Sequence, residues 1–162
     1  KRAKDVIKIF YKIQQEIPSK LLLVGEGPDR ENIENLAKEL GIIDKILFLG
    51  NSNEVNKLLC YSDLFLLPSE TESFGLAALE AMAVGVPVIS SNTGGIPEVN
   101  IHGYSGFLSS VGDIDDMAKN TLELLKPENH PKFKKQAKLR SEEFSLARIL
   151  PMYEELYRTL VK

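Results

Sequence analysis

Four short runs of apolar residues, Leu21–Val24, Ile46–Leu49, Leu64–Leu67 and Val86–Ser90, punctuate the N-terminal half of the chain almost without polar alternation. A strand with one wet face alternates apolar and polar side chains; a strand buried on both faces is apolar throughout. Between the runs, apolar residues recur at helical spacing. Ile33, Leu36, Ala37 and Leu40 mark a helix closed by Gly41, a left-handed cap. Asn53 is expected to cap a short helix that turns Val55, Leu58 and Leu59 inward, and another helix is expected from Phe74 to Ala83. Ahead of the first run, Val6, Ile7, Ile9, Phe10, Ile13 and Ile17 predict a surface helix over 3–16 that ends before Pro18. Buried strands alternating with helices indicate an α/β fold: a doubly wound, Rossmann-like parallel sheet covered on both faces. An edge strand at Ser105–Ser109 and a helix from Asp113 to Leu125 follow. Two C-terminal helices over 132–143 and 146–160 close the chain, and Pro151 is expected to kink or delay the last. No repeat or linker divides residues 1–162, so one domain is expected. The start at Lys1, without Met and already within a helical pattern, is expected of a fragment.

In an open parallel sheet, ligands bind beyond the carboxyl ends of the strands, where loops and helix starts converge. The unusual local signals fall in those loops: Gly25-Glu26-Gly27-Pro28, Gly50-Asn51-Ser52-Asn53, Pro68 to Gly75, and Ser91 to Pro97. The third is the richest. Free amides at Phe74, Gly75 and Leu76 opening a helix suit an anion such as a diphosphate. Glu72 and Glu80 flank that start. Carboxylates repel phosphate but accept bonds from hydroxyl pairs, which suggests a ligand with sugars on both sides of a diphosphate. From spacing alone, an ordinary helix with solvated or dipole-complementing acids reads equally well.

Glu72-x-Phe74-Gly75-x4-Glu80, set between Pro68-Ser69 and Gly85-Val86-Pro87-Val88-Ile89, resembles the E-x7-E signature of family 4 retaining glycosyltransferases of GT-B fold. The resemblance runs along essentially the whole chain. Gly25-Glu26-Gly27-Pro28, Phe48-Leu49-Gly50, Gly94-Gly95-Ile96-Pro97-Glu98 and Gly103-x2-Gly106 are similar to further family landmarks. It implies that residues 1–162 are a donor-binding domain, with the acceptor-binding domain lying outside them. It implies that Glu72 contacts the donor sugar and Glu80 holds the ribose diol. Main-chain groups at Ser73, Phe74, Gly75 and Leu76 would bind sugar and diphosphate; Gly25 belongs to the glycine turn, and main chain near Asn51 would meet the base. Lys1 takes the place of the family's diphosphate lysine, while the partner arginine lies upstream. Within the family, Ser69-Glu70-x-Glu72-Ser73-Phe74-Gly75-Leu76, Gly94-Gly95-Ile96-Pro97-Glu98-Val99 and Lys1-Arg2 with Asp5-Val6 resemble the bacillithiol-pathway members. These carry N-acetylglucosamine from UDP to L-malate. The resemblance further implies retention by front-face attack, with no covalent nucleophile and no metal or other cofactor.

Other chemistries fit less well. Gly25-x-Gly27-x-x-Arg30 lacks the third glycine of a dinucleotide fingerprint, and no P-loop motif occurs. Asp113-Ile114-Asp115 has a metal–diphosphate spacing but opens a helix, where acids complement the dipole. His102 and His130 are isolated, so no zinc site is expected. With 20 Lys plus Arg against 23 Asp plus Glu, the net charge of −3 gives no case for nucleic acid or an anionic membrane. Lys132, Lys134, Lys135, Lys138 and Arg140 read as a solvated helix face. The stripe Met152, Tyr153, Leu156, Tyr157 and Leu160 reads as packing; the resemblance implies that such a helix commonly crosses to the other domain, which would leave part of the stripe exposed here. The longest apolar run is too short to span a bilayer. Cys60 is expected to be a small core residue; a lone cysteine and no secretory signal suit the cytoplasm. Partners are then a nucleotide-sugar donor and a small-molecule acceptor, with homo-oligomer formation left open.

Overall fold

A computed structural model describes residues 1–160 as an α/β domain. The strands are β1 (Leu21–Val24), β2 (Ile46–Gly50), β3 (Phe65–Leu67), β4 (Val88–Ser91) and β5 (Gly106–Ser109). The helices are α1 (Ala3–Glu16), α2 (Arg30–Glu39), α3 (Val55–Cys60), α4 (Leu76–Ala83), α5 (Ile96–Val99), α6 (Ile114–Leu124), α7 (His130–Glu142) and α8 (Leu146–Leu160). Every strand pairing is parallel, as the apolar runs require. The strands form two ladders, β1–β2 and β3–β4–β5, with Leu21 opposite Ile46, Phe65 opposite Val88 and Val88 opposite Gly106.

Helix α1 joins the ladders. Ile7 and Phe10 pack with Ile33 and Ala37 of α2 and Ile46 of β2, whereas Ile9 and Ile13 pack with Ile89 of β4 and with Met117, Ala118 and Leu124 of α6. Opposite faces of β4 show the doubly wound arrangement directly. Ile89 faces the α1/α6 layer, and Val88 faces Ala78, Ala81 and Met82 of α4 and Ala137 of α7. All four residues of β4 are buried.

The first ladder is covered on one face only. Leu47 and Leu49 are exposed, because α3 is too short to lie across β2 and packs Val55 and Leu59 beside α4 instead. Cys60 follows Leu59 on that short helix and turns outward, so it is exposed and not a core residue. Asn53 does not cap α3 either: Glu54 holds that position, and its amide donates to Ser52 Oγ at 3.1 Å. Gly41 has the expected left-handed backbone, φ 68°. Helix α8 runs through Pro151 without interruption. Its apolar residues Met152, Tyr153, Leu156, Tyr157 and Leu160 are all exposed, so the stripe packs against none of the described residues, which agrees with the expectation of exposure rather than with that of packing.

A buried amide ties β4 to β5. Asn100 Nδ2 lies within 2.9–3.2 Å of Ser90 Oγ, Val88 O and Phe107 O, and its Oδ1 accepts from Ser105 Oγ at 3.0 Å. Burying these polar groups is tolerable because they satisfy one another.

Candidate functional site

The segment after β3 leaves the core in stages. Pro68 and Ser69 are buried, Glu70 and Thr71 are exposed, Glu72 is half-buried, and Gly75 is buried again. Gly75 adopts φ 94°, which starts α4 at Leu76, two residues later than the helical pattern predicts. A side chain would strain that turn. The first backbone bond returning to the helix start runs from Leu79 N to Gly75 O at 3.0 Å. Among the described residues, no protein acceptor takes the amides of Ser73, Phe74, Gly75 or Leu76. Unused donors and the positive end of the helix dipole therefore coincide.

A second loop holds this one in shape. Gly94 and Gly95 follow β4 and lie against the main chain of Glu72 and Ser73. A Cβ on Gly94 would stand 1.8 Å from Glu72 O, and one on Gly95 would stand 2.4 Å from Ser73 O. Gly95 N donates to Glu72 O at 3.2 Å, and Thr93 Oγ1 donates to Glu70 O at 3.1 Å. No side chain fits between the two loops, so the paired glycines serve as a template for the helix entry. The sequence marks them as a landmark without a role; the available signal was a double glycine after a strand, where close backbone approach is common.

A cavity of about 430 Å³ opens where the loops meet, lined by Lys1, Thr71, Glu72, Ser73, Thr93 and Gly94. Lys1 Nζ donates to Glu72 Oε2, and Ser69 Oγ lies 3.5 Å from the same oxygen. Glu72 keeps 16% of its side chain exposed, enough to face the cavity. Lys1, Glu72 and Ser73 are thus brought together. Phe74 turns its ring inward against Phe144, centroids 5.8 Å apart, and leaves only its main chain at the site. Leu76 and Glu80 are exposed and, at i and i+4, share one face of α4. Glu80 makes no ion pair or hydrogen bond among the described residues.

Gly25 and Asn51 lie on the loops after β1 and β2, outside this cavity. Gly25 adopts φ 115° and donates to Gly50 O at 2.7 Å, so these loops touch each other. Because α1 starts at the cavity and reverses into β1, the carboxyl end of β1 returns toward that side.

The remaining polar signals have structural partners. Asp113 caps α6 by accepting from Asp116 N at 2.9 Å, and Asp115 pairs with Lys12 at 2.7 Å. His102 Nδ1 lies 3.1 Å from the main chain of Leu108, and His130 Nε2 lies 2.9 Å from Asp63 O. Among the described residues, no group of three His, Cys, Asp or Glu side chains gathers to hold a metal ion, and no helix is long and apolar enough to cross a membrane. Lys132, Lys135 and Lys138 are exposed on α7, while Arg140 instead donates to Val99 O at 3.2 Å.

The family model for glycosyl transferases group 1 matches residues 1–141. N-acetyl-alpha-D-glucosaminyl L-malate synthase of Bacillus anthracis is 46% identical over 100% of this chain and 43% of its own length. Sucrose-phosphate synthase of Thermosynechococcus elongatus superposes with a TM-score of 0.84 at 30% identity, covering 99% of this chain and 43% of that structure. The pneumococcal O-GlcNAc transferase, solved with UDP and GlcNAc, shares the fold with a TM-score of 0.89 at 18% identity, over 99% of this chain and 33% of its own. The chain therefore spans less than half the length of these relatives.

Proposed function

The chain belongs to the group 1 glycosyl transferases, and from that premise we propose that residues 1–162 are the nucleotide-sugar-binding half of a retaining hexosyltransferase. One observation carries this reading: a cavity lined by Lys1, Glu72 and Ser73 holds a carboxylate and an ammonium just ahead of the α4 start, whose amides take no protein acceptor among the described residues. Support for N-acetylglucosamine as the sugar and L-malate as the acceptor comes from the 46% identity to the Bacillus anthracis enzyme; a UDP donor rests on the sequence resemblance to the bacillithiol-pathway members.

Transfer builds negative charge on the leaving diphosphate while the sugar carbon becomes oxocarbenium-like. Fixed N–H donors stabilise that charge without reorganising during the reaction. The amides of Ser73, Phe74, Gly75 and Leu76 supply them, and the Lys1 ammonium adds a full positive charge. No metal or other cofactor enters this scheme. Glu72, held between Lys1 and Ser69, accepts from donor-sugar hydroxyls. Glu80 lies one turn along α4, about 6 Å from Leu76 at 1.5 Å per residue, and accepts the ribose diol. Main chain at Gly25 and Asn51 borders the nucleoside. The acceptor enters from a second domain and is deprotonated with help from the departing phosphate on the same face, which retains configuration. The enzyme would work in the cytoplasm, where Cys60 stays a free thiol.

Calorimetric titration of the full-length protein with UDP, GDP, ADP and NAD tests this. Binding of UDP with no NAD signal is expected; failure to bind any nucleotide diphosphate would refute the proposal.

A further inference from the structure

Arg2 is the only non-glycine among the described residues with left-handed backbone, φ 49° and ψ 50°. That region crowds an L side chain against its own backbone, so a residue stays there only when its surroundings hold it. Three elements hold Arg2. Its Nε donates to Oδ2 of the buried Asp5 at 2.5 Å, and its Nη1 lies 3.9 Å from Glu70 Oε2. Its guanidinium lies over Gly112, where an added methyl would come within 3.0 Å of Nη2. The Arg2 carbonyl in turn accepts from Asp5 N at 2.9 Å, so both ends of the residue are tied to one partner.

The backbone at residue 2 decides where residue 1 points. A right-handed Arg2 would continue α1 backwards and carry Lys1 along the helix axis. The left-handed turn redirects the chain, and the Lys1 ammonium meets Glu72. Two consecutive cations thereby engage alternate acids of one loop, Arg2 with Glu70 and Lys1 with Glu72.

We infer that Arg2, clipped by Asp5 and Glu70 against Gly112, is a positioning residue that holds the Lys1 ammonium at the Glu72 cavity. The inference rests on the donor-site reading above. It gives Asp5, a buried carboxylate with no other assigned task, a reason to be buried beside the helix start.

The test is steady-state kinetics of the full-length protein with UDP-N-acetylglucosamine and L-malate, using Arg2→Gly, Lys1→Ala and the double variant. Glycine accepts the left-handed backbone without strain, so Arg2→Gly removes the clip alone. Arg2→Gly is expected to lower kcat by about ten- to a hundredfold, the scale of a misplaced catalytic group, with the acceptor KM unchanged, while the unpaired, buried Asp5 carboxylate lowers the melting temperature. The double variant should be no slower than Lys1→Ala, since residues acting through one another are not additive. Asp5→Asn loosens the same clip from its other end, should show part of the loss, and serves if Arg2→Gly does not fold. Independent, multiplicative effects, or a wild-type kcat for Arg2→Gly beside a slow Lys1→Ala, would overturn the clip. A silent Lys1→Ala would overturn the donor-site reading, and the clip with it.

Discussion

Replacing Gly94 by alanine places a methyl group where the Glu72 carbonyl already stands. The new Cβ would lie 1.8 Å from that oxygen, whereas ordinary contact begins near 3.4 Å, so the Glu72 loop must retreat by about 1.6 Å. Two costs arise. The left-handed backbone of Gly94, φ 55°, costs an alanine about 1–2 kcal/mol. Crowding of a packed contact adds about 1–3 kcal/mol. Gly103 separates the two, because its φ is 74° but nothing stands within 4 Å of its Cβ position. Gly103→Ala therefore carries only the backbone cost. In the full-length protein, Gly94→Ala should melt below Gly103→Ala, and only Gly94→Ala should weaken UDP binding, by about ten- to a hundredfold for a cradle displaced by more than an ångström. Calorimetric UDP titration and thermal melting of both variants make the comparison. Equal melting and equal UDP affinity in the two would show that the glycine pair does not shape the site.

Glu80→Ala should leave melting unchanged, because Glu80 is exposed and unpaired among the described residues. It should weaken UDP binding by about 1.5–3 kcal/mol, the worth of hydrogen bonds to a charged group, read by the same titration. Glu72→Ala should chiefly lower kcat, and steady-state kinetics would show a wild-type rate if Glu72 had no role. Asp113→Ala removes the α6 cap and should cost about 1 kcal/mol of stability in a denaturant melt, while activity persists in EDTA. Loss of activity would mean that the acid serves the site. Asn100→Ala strands the carbonyls of Val88 and Phe107 and should destabilise the domain by about 2–4 kcal/mol. Wild-type stability in a urea titration would show that water replaces the amide.

The alternation of fully apolar runs with amphipathic helices made the parallel α/β fold legible, because β4 must bury Val88 and Ile89 on opposite faces. The same logic overreached at β2: Leu47 and Leu49 look as buried as Ile46 in sequence, but coverage depends on the length of α3 and on where it packs. Cys60 went astray for the same reason, since one residue on a short helix changes its facing by about 100°. At the candidate site, residue types and spacing singled out Glu72, Gly75 and Glu80, and only the family resemblance supplied their expected roles. The contact of Lys1 with Glu72 and the packing of Gly94 on Glu72 join positions far apart in the chain. No local pattern encodes such pairings. The strained backbone of Arg2 was equally hidden, because nothing in Lys1-Arg2-Ala3 forbids a right-handed start.

A crystal structure of the full-length protein with bound UDP-N-acetylglucosamine would show whether the α4 entry holds a diphosphate between Glu72 and Glu80. Diphosphate oxygens should lie within hydrogen-bond distance of the Gly75 and Leu76 amides, with the ribose diol on Glu80 and the sugar beside Glu72. A nucleotide bound elsewhere, with those amides hydrated and Glu80 facing solvent, would contradict that reading.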